Sequence, residues 1–331
     1  MLIPYPDTPR ERDRWILSRR AERRSLDPRQ PVGSFVEEER SESGEVVPVA
    51  TVFLTNRECP WRCVMCDLWQ NTLSESVPEG AIPEQIDRAL AGLAAGNPAP
   101  RQIKLYNSGS FFDPRAIPRD DYPAIAQRVG SFERVIVECH PALVGPEVLR
   151  FRDQLPGRLE VAMGLETAHP AVLEKLNKGM TLDDFKRAAE FLVRHGIALR
   201  AFILVRPPFL RNEAEAHHWA ERSIDFPFDS GASVVSLIST RGGNGAMEAL
   251  ASLGQFVPSR LENLEAAADY GIGVRRGRVF ADLWDLEKFS QCSACYDARR
   301  QRLRRMNLGQ QVEPPVRCGA CGRPARGQVS E

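Results

Sequence analysis

The chain has 331 residues, 43% of them hydrophobic, and carries 44 basic and 44 acidic side chains for a formal net charge of zero. That length and apolar content can bury a sizeable core, and an α/β barrel can absorb most of the chain. The balanced charge excludes whole-molecule attraction to nucleic acid or membrane, and no stretch approaches the roughly 18 continuous apolar residues of a spanning helix.

The opening segment, "MLIPYPDTPRERDRW", lacks the apolar core of a secretory signal, so the expectation is a cytoplasmic protein whose thiols stay reduced. Eight cysteines there point to metal binding or redox chemistry rather than disulfides. Residues 1–45 are polar and charged, include Arg19, Arg20, Arg23 and Arg24, and end in "EEERSESGEV". They read as a basic N-terminal arm or linker, with the arginines on solvated faces.

From Val47 onward β-rich apolar runs alternate with helical stretches. Strands are predicted at "VPVATVFLT" (47–55), "QIKLYNSGS" (102–110), "RVIVECH" (134–140), "LEVAMGLET" (159–167), "LRAFILV" (199–205) and "SVVSLIST" (233–240). Amphipathic helices are predicted over Pro83–Leu93, Tyr122–Val129, Pro146–Gln154, Thr181–His195, Ala214–Asp225 and Leu261–Tyr270. The stripe Phe185, Ala188, Ala189 and Leu192 makes the Thr181–His195 helix the clearest of these. Such alternation implies a parallel sheet, either a partial (β/α)₆ barrel over 46–285 or a doubly wound sheet. In both, ligands gather at the carboxyl ends of the strands. The unusual residues fall there: the cysteine trio after the first strand, then "NSGS", "ECHP", "GLET" and "RPPF".

"NRECPWRCVMCDLWQNT" (56–72) sets Cys59, Cys63 and Cys66 in CxxxCxxC spacing. Positions i, i+4 and i+7 could form an inert helical core stripe, but Pro60 disfavours helical geometry at Cys59. Zinc would want a fourth ligand, for which Asp67 is close in sequence. A [4Fe–4S] cluster held by three thiolates leaves one iron open to an outside ligand.

With these residues the chain resembles the radical S-adenosylmethionine enzymes, over roughly residues 47–285. The resemblance implies a [4Fe–4S] cluster on Cys59, Cys63 and Cys66. Its open iron would bind S-adenosylmethionine, which a reduced cluster cleaves to a 5′-deoxyadenosyl radical that abstracts hydrogen from the substrate. It implies cofactor contacts from Asn107, Ser108, Gly109 and Ser110 of the "NSGS" turn, from Glu166 of "GLET", and from Lys178 of "LNKG". The strand "AFILV" would lie against adenine. Met65 departs from the aromatic residue often found before the third cysteine. Cys139, His140, His217 and His218 are assigned no catalytic role.

"IKLYNSGSFFDPRAIP", "LNKGMTLDDF" and "ILVRPPF" further resemble one branch, the radical subunit of archaeosine synthase and related tRNA-modifying enzymes. That implies, by analogy, hydrogen abstraction beside a lysine nitrogen on a tRNA base, C–N cleavage, and a need for an external electron donor.

In the tail (286–331), Cys292, Cys295, Cys318 and Cys321 form CxxC–x₂₂–CxxC, suited to a tetrahedral zinc site or, alternatively, an auxiliary iron–sulfur cluster. A tail this short would have little core without such a staple, and the run Arg299, Arg300, Arg302, Arg304 and Arg305 could touch RNA phosphates. The alternatives to a tRNA-modifying enzyme are a radical enzyme with a small-molecule substrate and a non-catalytic iron–sulfur regulator that binds nucleic acid. The sequence leaves the oligomeric state open.

Overall fold

The computed structural model describes residues 3–94 and 98–322. Among them, no helix is long and apolar enough to cross a membrane. A helix α1 (Pro9–Leu17) precedes a hairpin of β1 (Gly33–Arg40) and β2 (Val46–Phe53). Repeating units follow: α2 (Ala81–Leu93), β3 (Gln102–Tyr106), α3 (Tyr122–Arg128), β4 (Arg134–Glu138), α4 (Pro146–Arg152) and β5 (Arg158–Glu166). Two helices, α5 (Pro170–Lys175) and α6 (Leu182–Arg194), lead to β6 (Ala198–Val205). The rest is α7 (Glu213–Asp229), β7 (Val234–Ser239), α8 (Ala246–Ser252), α9 (Leu261–Gly273), β8 (Arg278–Ala281) and α10 (Ser293–Gly309).

The eight strands form one sheet in the order β1 to β8. Only β1–β2 is antiparallel; every later pair is parallel. Strictly sequential order has no reversal point, so the doubly wound alternative is excluded and the sheet curls into a half-barrel. Alternation along each strand sends one set of side chains outward into a core shared with the helices, as with Ile103, Leu105, Val135 and Val137. The other set lines the lumen, as with Lys104, Tyr106, Arg200 and Phe202.

Two predicted features are corrected. The arm of residues 1–45 is not a linker: it contains α1 and the edge strand β1. Its Glu37 and Glu39 point at lumen cations rather than solvent. Lys104 Nζ donates to Glu37 at 2.8 Å and to Glu39 at 2.5 Å, and Arg200 bridges Glu39 and Glu160. Nor are all arm arginines solvated, since Arg12 is buried against Glu174 and Arg20 pairs with Glu58 at 2.6 Å. The second correction is the tail. Its helix α10 packs Leu303 and Met306 into the main core. Asn307 and Gln310 each exchange two hydrogen bonds with the backbone of β8, at Ala281 and Val279 (2.8–2.9 Å). These amides satisfy an edge that would otherwise expose unpaired backbone groups. At the other edge Arg40 of β1 donates to the Leu308 carbonyl at 3.1 Å, so α10 bridges the two rims of the half-barrel.

Candidate active site

The strand ends open into a cavity of about 1510 Å³ that runs down the lumen. The segment after β2 is irregular, which excludes the helical core stripe, and Cys59, Cys63 and Cys66 all line the cavity half-buried. Long-range bonds fix this loop. Val64 N donates to the Leu176 carbonyl at 2.9 Å, Asn177 Nδ2 to the Arg62 carbonyl at 2.9 Å, and Asn244 Nδ2 to the carbonyls of Val64 and Cys66 at 2.8 and 3.1 Å. Burial pushes the Cys59 thiol up to about 11 and those of Cys63 and Cys66 to about 12. The thiols are therefore protonated without a metal, and loading one releases protons.

Beside the loop, the "NSGS" turn approaches closely: a Cβ at Gly109 would lie 3.3 Å from Cys59 Cβ. Ser108 and Gly109 line the cavity. Asn107 and Ser110 do not; both are wholly buried and hold the turn from behind. Ser110 Oγ accepts from His140 N at 3.1 Å, and Asn107 N donates to Glu138 at 2.9 Å. Glu138 also receives the N–H groups of Ser108 and Gly109, while burial pushes its carboxyl up to about 7. Sequence reasoning missed Glu138, because a glutamate inside a strand pattern carries no signal; its position just before the strand end was the one available clue.

Glu166 and Lys178 also line the cavity, and they pair with each other at 2.8 Å, so Lys178 is not a solvated surface lysine. Burial alone would depress the Lys178 ammonium, but Glu166 and the nearby thiols hold it well above the ordinary range. Three non-glycine strand ends, Ser108, Glu166 and Arg206, adopt φ of 51°, 69° and 56°. Each costs about 1–3 kcal/mol and persists only where the surroundings impose it, a pattern concentrated at functional sites. Met65, Phe202 and Leu204 add apolar wall, whereas His217 and His218 lie exposed on α7.

The tail cysteines converge more tightly. The Sγ atoms of Cys292, Cys295, Cys318 and Cys321 all lie within 4.8 Å of one another, with Cys292–Cys318 and Cys295–Cys321 each at 4.0 Å. Zn–S bonds of about 2.3 Å in a tetrahedron place sulfurs about 3.8 Å apart, so this donor set fits a single ion. Among the described residues no other group of three or more His, Cys, Asp or Glu gathers this way. A cluster on the loop trio asks for a wider spread, because each thiolate binds a different iron.

The arginine run of α10 is mostly committed. Arg299 and Arg302 are buried, pairing with Glu265 at 2.7 Å and Asp269 at 2.5 Å. Arg304 meets Glu38 at 2.6 Å and Arg305 meets Glu313 at 2.7 Å. Only Arg300 lines the cavity with no ion pair among the described residues.

No protein-family model matches the chain. It is 28% identical over 230 residues to archaeosine synthase subunit beta of Methanosarcina acetivorans, covering 65% of this chain and 64% of that protein. The Thermococcus kodakarensis protein of the same name is 29% identical over 168 residues, covering 49% and 51%. An uncharacterized protein of Methanocaldococcus jannaschii is 24% identical over 225 residues, covering 65% and 61%. The chain thus spans 51% to 64% of the length of these relatives. Among solved structures, methylornithine synthase superposes with a TM-score of 0.54 at 15% identity, over 82% of this chain and 72% of that one. An N-terminally truncated Elp3 from Methanocaldococcus infernus gives 0.51 at 14% identity, over 68% and 59%. The chain is therefore similar in sequence to archaeosine synthase subunit beta and shares its half-barrel fold with methylornithine synthase and Elp3.

Proposed function

We propose that the chain is a radical S-adenosylmethionine enzyme that holds a [4Fe–4S] cluster on Cys59, Cys63 and Cys66 and acts on a modified tRNA base. The observation that carries this is a rigidly anchored loop offering three thiols, without a fourth of its own, to a deep cavity at the strand ends. When bound, the cluster and S-adenosylmethionine supply one-electron sulfonium cleavage and a 5′-deoxyadenosyl radical that abstracts hydrogen from the substrate.

The protein's own part is positioning and exclusion of water. Backbone at Ser108 and Gly109 comes close to the loop, with Asn107 and Ser110 supporting the turn through Glu138 and His140. The Glu166–Lys178 pair presents both charges to the cavity, complementary to the ammonium and carboxylate of a methionine group. Phe202 and Leu204 offer a face for adenine. A cytoplasmic electron donor is required. The four tail thiols hold zinc, with no coordination position left open for chemistry.

The tRNA substrate, and a C–N lyase reaction on it, rest on similarity to archaeosine synthase subunit beta. A second reading is a small polar substrate. The paired charges of Glu39, Lys104 and Arg200 on the cavity wall favour it. Dithionite-reduced, reconstituted protein should release 5′-deoxyadenosine and methionine; failure to bind or cleave S-adenosylmethionine would leave a non-catalytic iron–sulfur protein. Untargeted nucleoside mass spectrometry of tRNA from cells with and without the gene separates the two substrate readings.

A further inference from the structure

The lumen side chains fall into two layers one pleat apart. Lys104, Arg200 and Glu39 make a charged layer, and Tyr106 and Phe202, each two positions nearer the strand ends, belong to a layer of rings. The ring layer is continuous. Phe202 meets Tyr106 with centroids 5.9 Å apart, Tyr106 meets Phe53 at 6.3 Å, and Phe53 and Phe35 meet Trp284 at 6.1 and 5.1 Å. All five rings line the cavity. Four are half-buried, but Trp284, in the turn after β8, is 52% exposed at the rim. That turn is fixed: Trp284 N donates to Asp282 at 3.1 Å, and Arg241 pairs with Asp282 at 3.0 Å and Asp285 at 3.7 Å. On α10, Arg300 lines the same cavity, exposed, with no hydrogen bond or ion pair among the described residues. Glu287, which like Arg300 lies within electrostatic reach of Tyr296, accepts the Tyr296 hydroxyl at 3.3 Å instead.

We infer that Trp284, backed by Phe35 and Phe53, is the stacking platform for an unpaired base beside the reacting one in the RNA substrate, and that Arg300 binds a phosphate of the same strand; the inference rests on the tRNA substrate of the proposed function. The reacting base must reach the cysteine loop. Trp284 stands three ring contacts out from Phe202, so the base it holds is a neighbour. Every base has a π-face, and a ring already fixed in place loses little freedom on binding. The single unpaired guanidinium supplies the charge that a strand passing the rim needs. An organic ammonium fits less well. It needs free carboxylate or open π-faces, but Glu37 is taken by Lys104 at 2.8 Å and Asp282 by Arg241, and both cations would repel it. A small polar substrate would use the charged layer and leave the outer rings and Arg300 without a role.

The test uses the full chain with its cluster reconstituted and unmodified tRNA, followed by anisotropy of an end label and by tryptophan fluorescence. Trp284 is the one exposed tryptophan of five, so a stacked base should quench it. Trp284→Ala should weaken tRNA binding about tenfold, the loss of one base–ring stack. Trp284→Phe keeps a ring and should bind within about twofold of wild type while losing most of the quenching. Arg300→Gln should lower the slope of log affinity against log salt by about one phosphate contact. Val193→Ala, at an exposed apolar side chain on α6, should leave binding intact. Wild-type affinity in Trp284→Ala, an equal loss in Trp284→Phe or in the control, or quenching that survives Trp284→Phe would overturn the platform while leaving RNA as the substrate. Quenching by tetramethylammonium and not by tRNA would overturn it in favour of a cation. No tRNA binding by the wild type would remove the RNA substrate and the platform together. If dithionite drives no S-adenosylmethionine cleavage, the proposed enzyme activity fails, and binding and quenching still decide the platform by themselves.

Discussion

The indole of Trp61 lies flat on the imidazole of His140, with ring centroids 3.6 Å apart and planes 11° from parallel. Its edge also occupies the space beside Gly179, where a Cβ would come 2.7 Å from Trp61 Cδ1 and where φ is +71°. A residue between two cysteines of the loop is thereby clamped between the end of β4 and the turn after α5. Trp61→Ala should cost about 1–2 kcal/mol, less than a fully buried tryptophan because the ring is half-buried. It should also cut the iron retained per chain after gel filtration of reconstituted protein to below half. Undiminished iron would mean that the loop's backbone bonds suffice to position the thiols.

His140 should make the protein acid-sensitive. Its Nδ1 accepts from Ala142 N at 3.2 Å and its Nε2 bonds the Lys178 carbonyl at 3.0 Å, which suits the neutral ring with hydrogen on Nε2. Burial, with the Lys178 charge adding to it, pushes the imidazole down to about 3. The unfolded value is about 6.5, so between these limits the unfolded chain binds the extra proton. The contribution to stability is therefore full above pH 6.5 and is lost as pH falls toward 3, at up to about 1.4 kcal/mol per pH unit. Denaturant midpoints at pH 6.5, 5.5 and 4.5 should fall more steeply for wild type than for His140→Gln. Parallel slopes would assign the acid response to other groups.

Glu166 and Lys178 should be strongly coupled. Glu166→Gln leaves a buried ammonium without its counter-ion, which should cost about 3 kcal/mol. Glu166→Gln/Lys178→Met should recover most of that, because both charges are then gone. S-adenosylmethionine affinity, measured by equilibrium dialysis on reconstituted protein, should fall in both variants. Wild-type affinity in the double variant would reduce the pair to an architectural role.

How much of this was legible in the sequence depended on where each residue's partners lie. Strands such as "RVIVECH" are buried on both faces and read directly, as did the cysteine spacing and the boundary at Thr181, whose side chain accepts from Asp184 N at 3.2 Å. Strand β1 did not. Its "EEER" signals solvent, but Glu39 is neutralised by Lys104 and Arg200, 65 and 161 positions away. Strand β8 has four residues, too few for any period, and the Asn307 and Gln310 amides that satisfy its free edge lie some 26 to 31 positions further along the chain. Trp61 and Glu138 were invisible for the same reason: each acts through a neighbour that only the fold supplies.

The arginine run of α10 illustrates the cost of reading charge without partners. Arg302 looked like a phosphate ligand, but it bonds Asp269 at 2.5 Å and the Glu313 carbonyl at 2.6 Å from a buried position. Arg302→Ala should destabilise the protein by about 2–3 kcal/mol through the unpaired groups it leaves. Arg304→Ala and Arg305→Ala, at exposed ion pairs, should each change stability by less than about 1 kcal/mol. Chemical denaturation of the three single variants checks the contrast. Equal losses would mean that the run acts as one surface.

The tail metal should stabilise less of the chain than the cysteine spacing suggests. A short module with little core of its own should unfold from about Glu287 onward when a ligand is lost. Helix α10 has other attachments. Leu303 and Met306 are wholly buried in the barrel core, worth about 1.5–3 kcal/mol each, and Asn307 and Gln310 bind the backbone of β8. Cys292 and Cys295 sit at its first turn, whereas Cys318 and Cys321 lie in a segment whose other anchors include the Arg302 contacts with the Glu313 and Pro314 carbonyls and the exposed Arg305–Glu313 ion pair. Cys318→Ser should therefore release one equivalent of zinc and expose the amides of residues 311–322 to fast hydrogen exchange. Amides of 299–309 should stay protected, and iron reconstituted at the proposed site of Cys59, Cys63 and Cys66 should be retained. If the amides of 299–309 exchange along with the tail, the metal is holding α10 itself. If elemental analysis gives iron in place of zinc, the four thiols carry a second cluster.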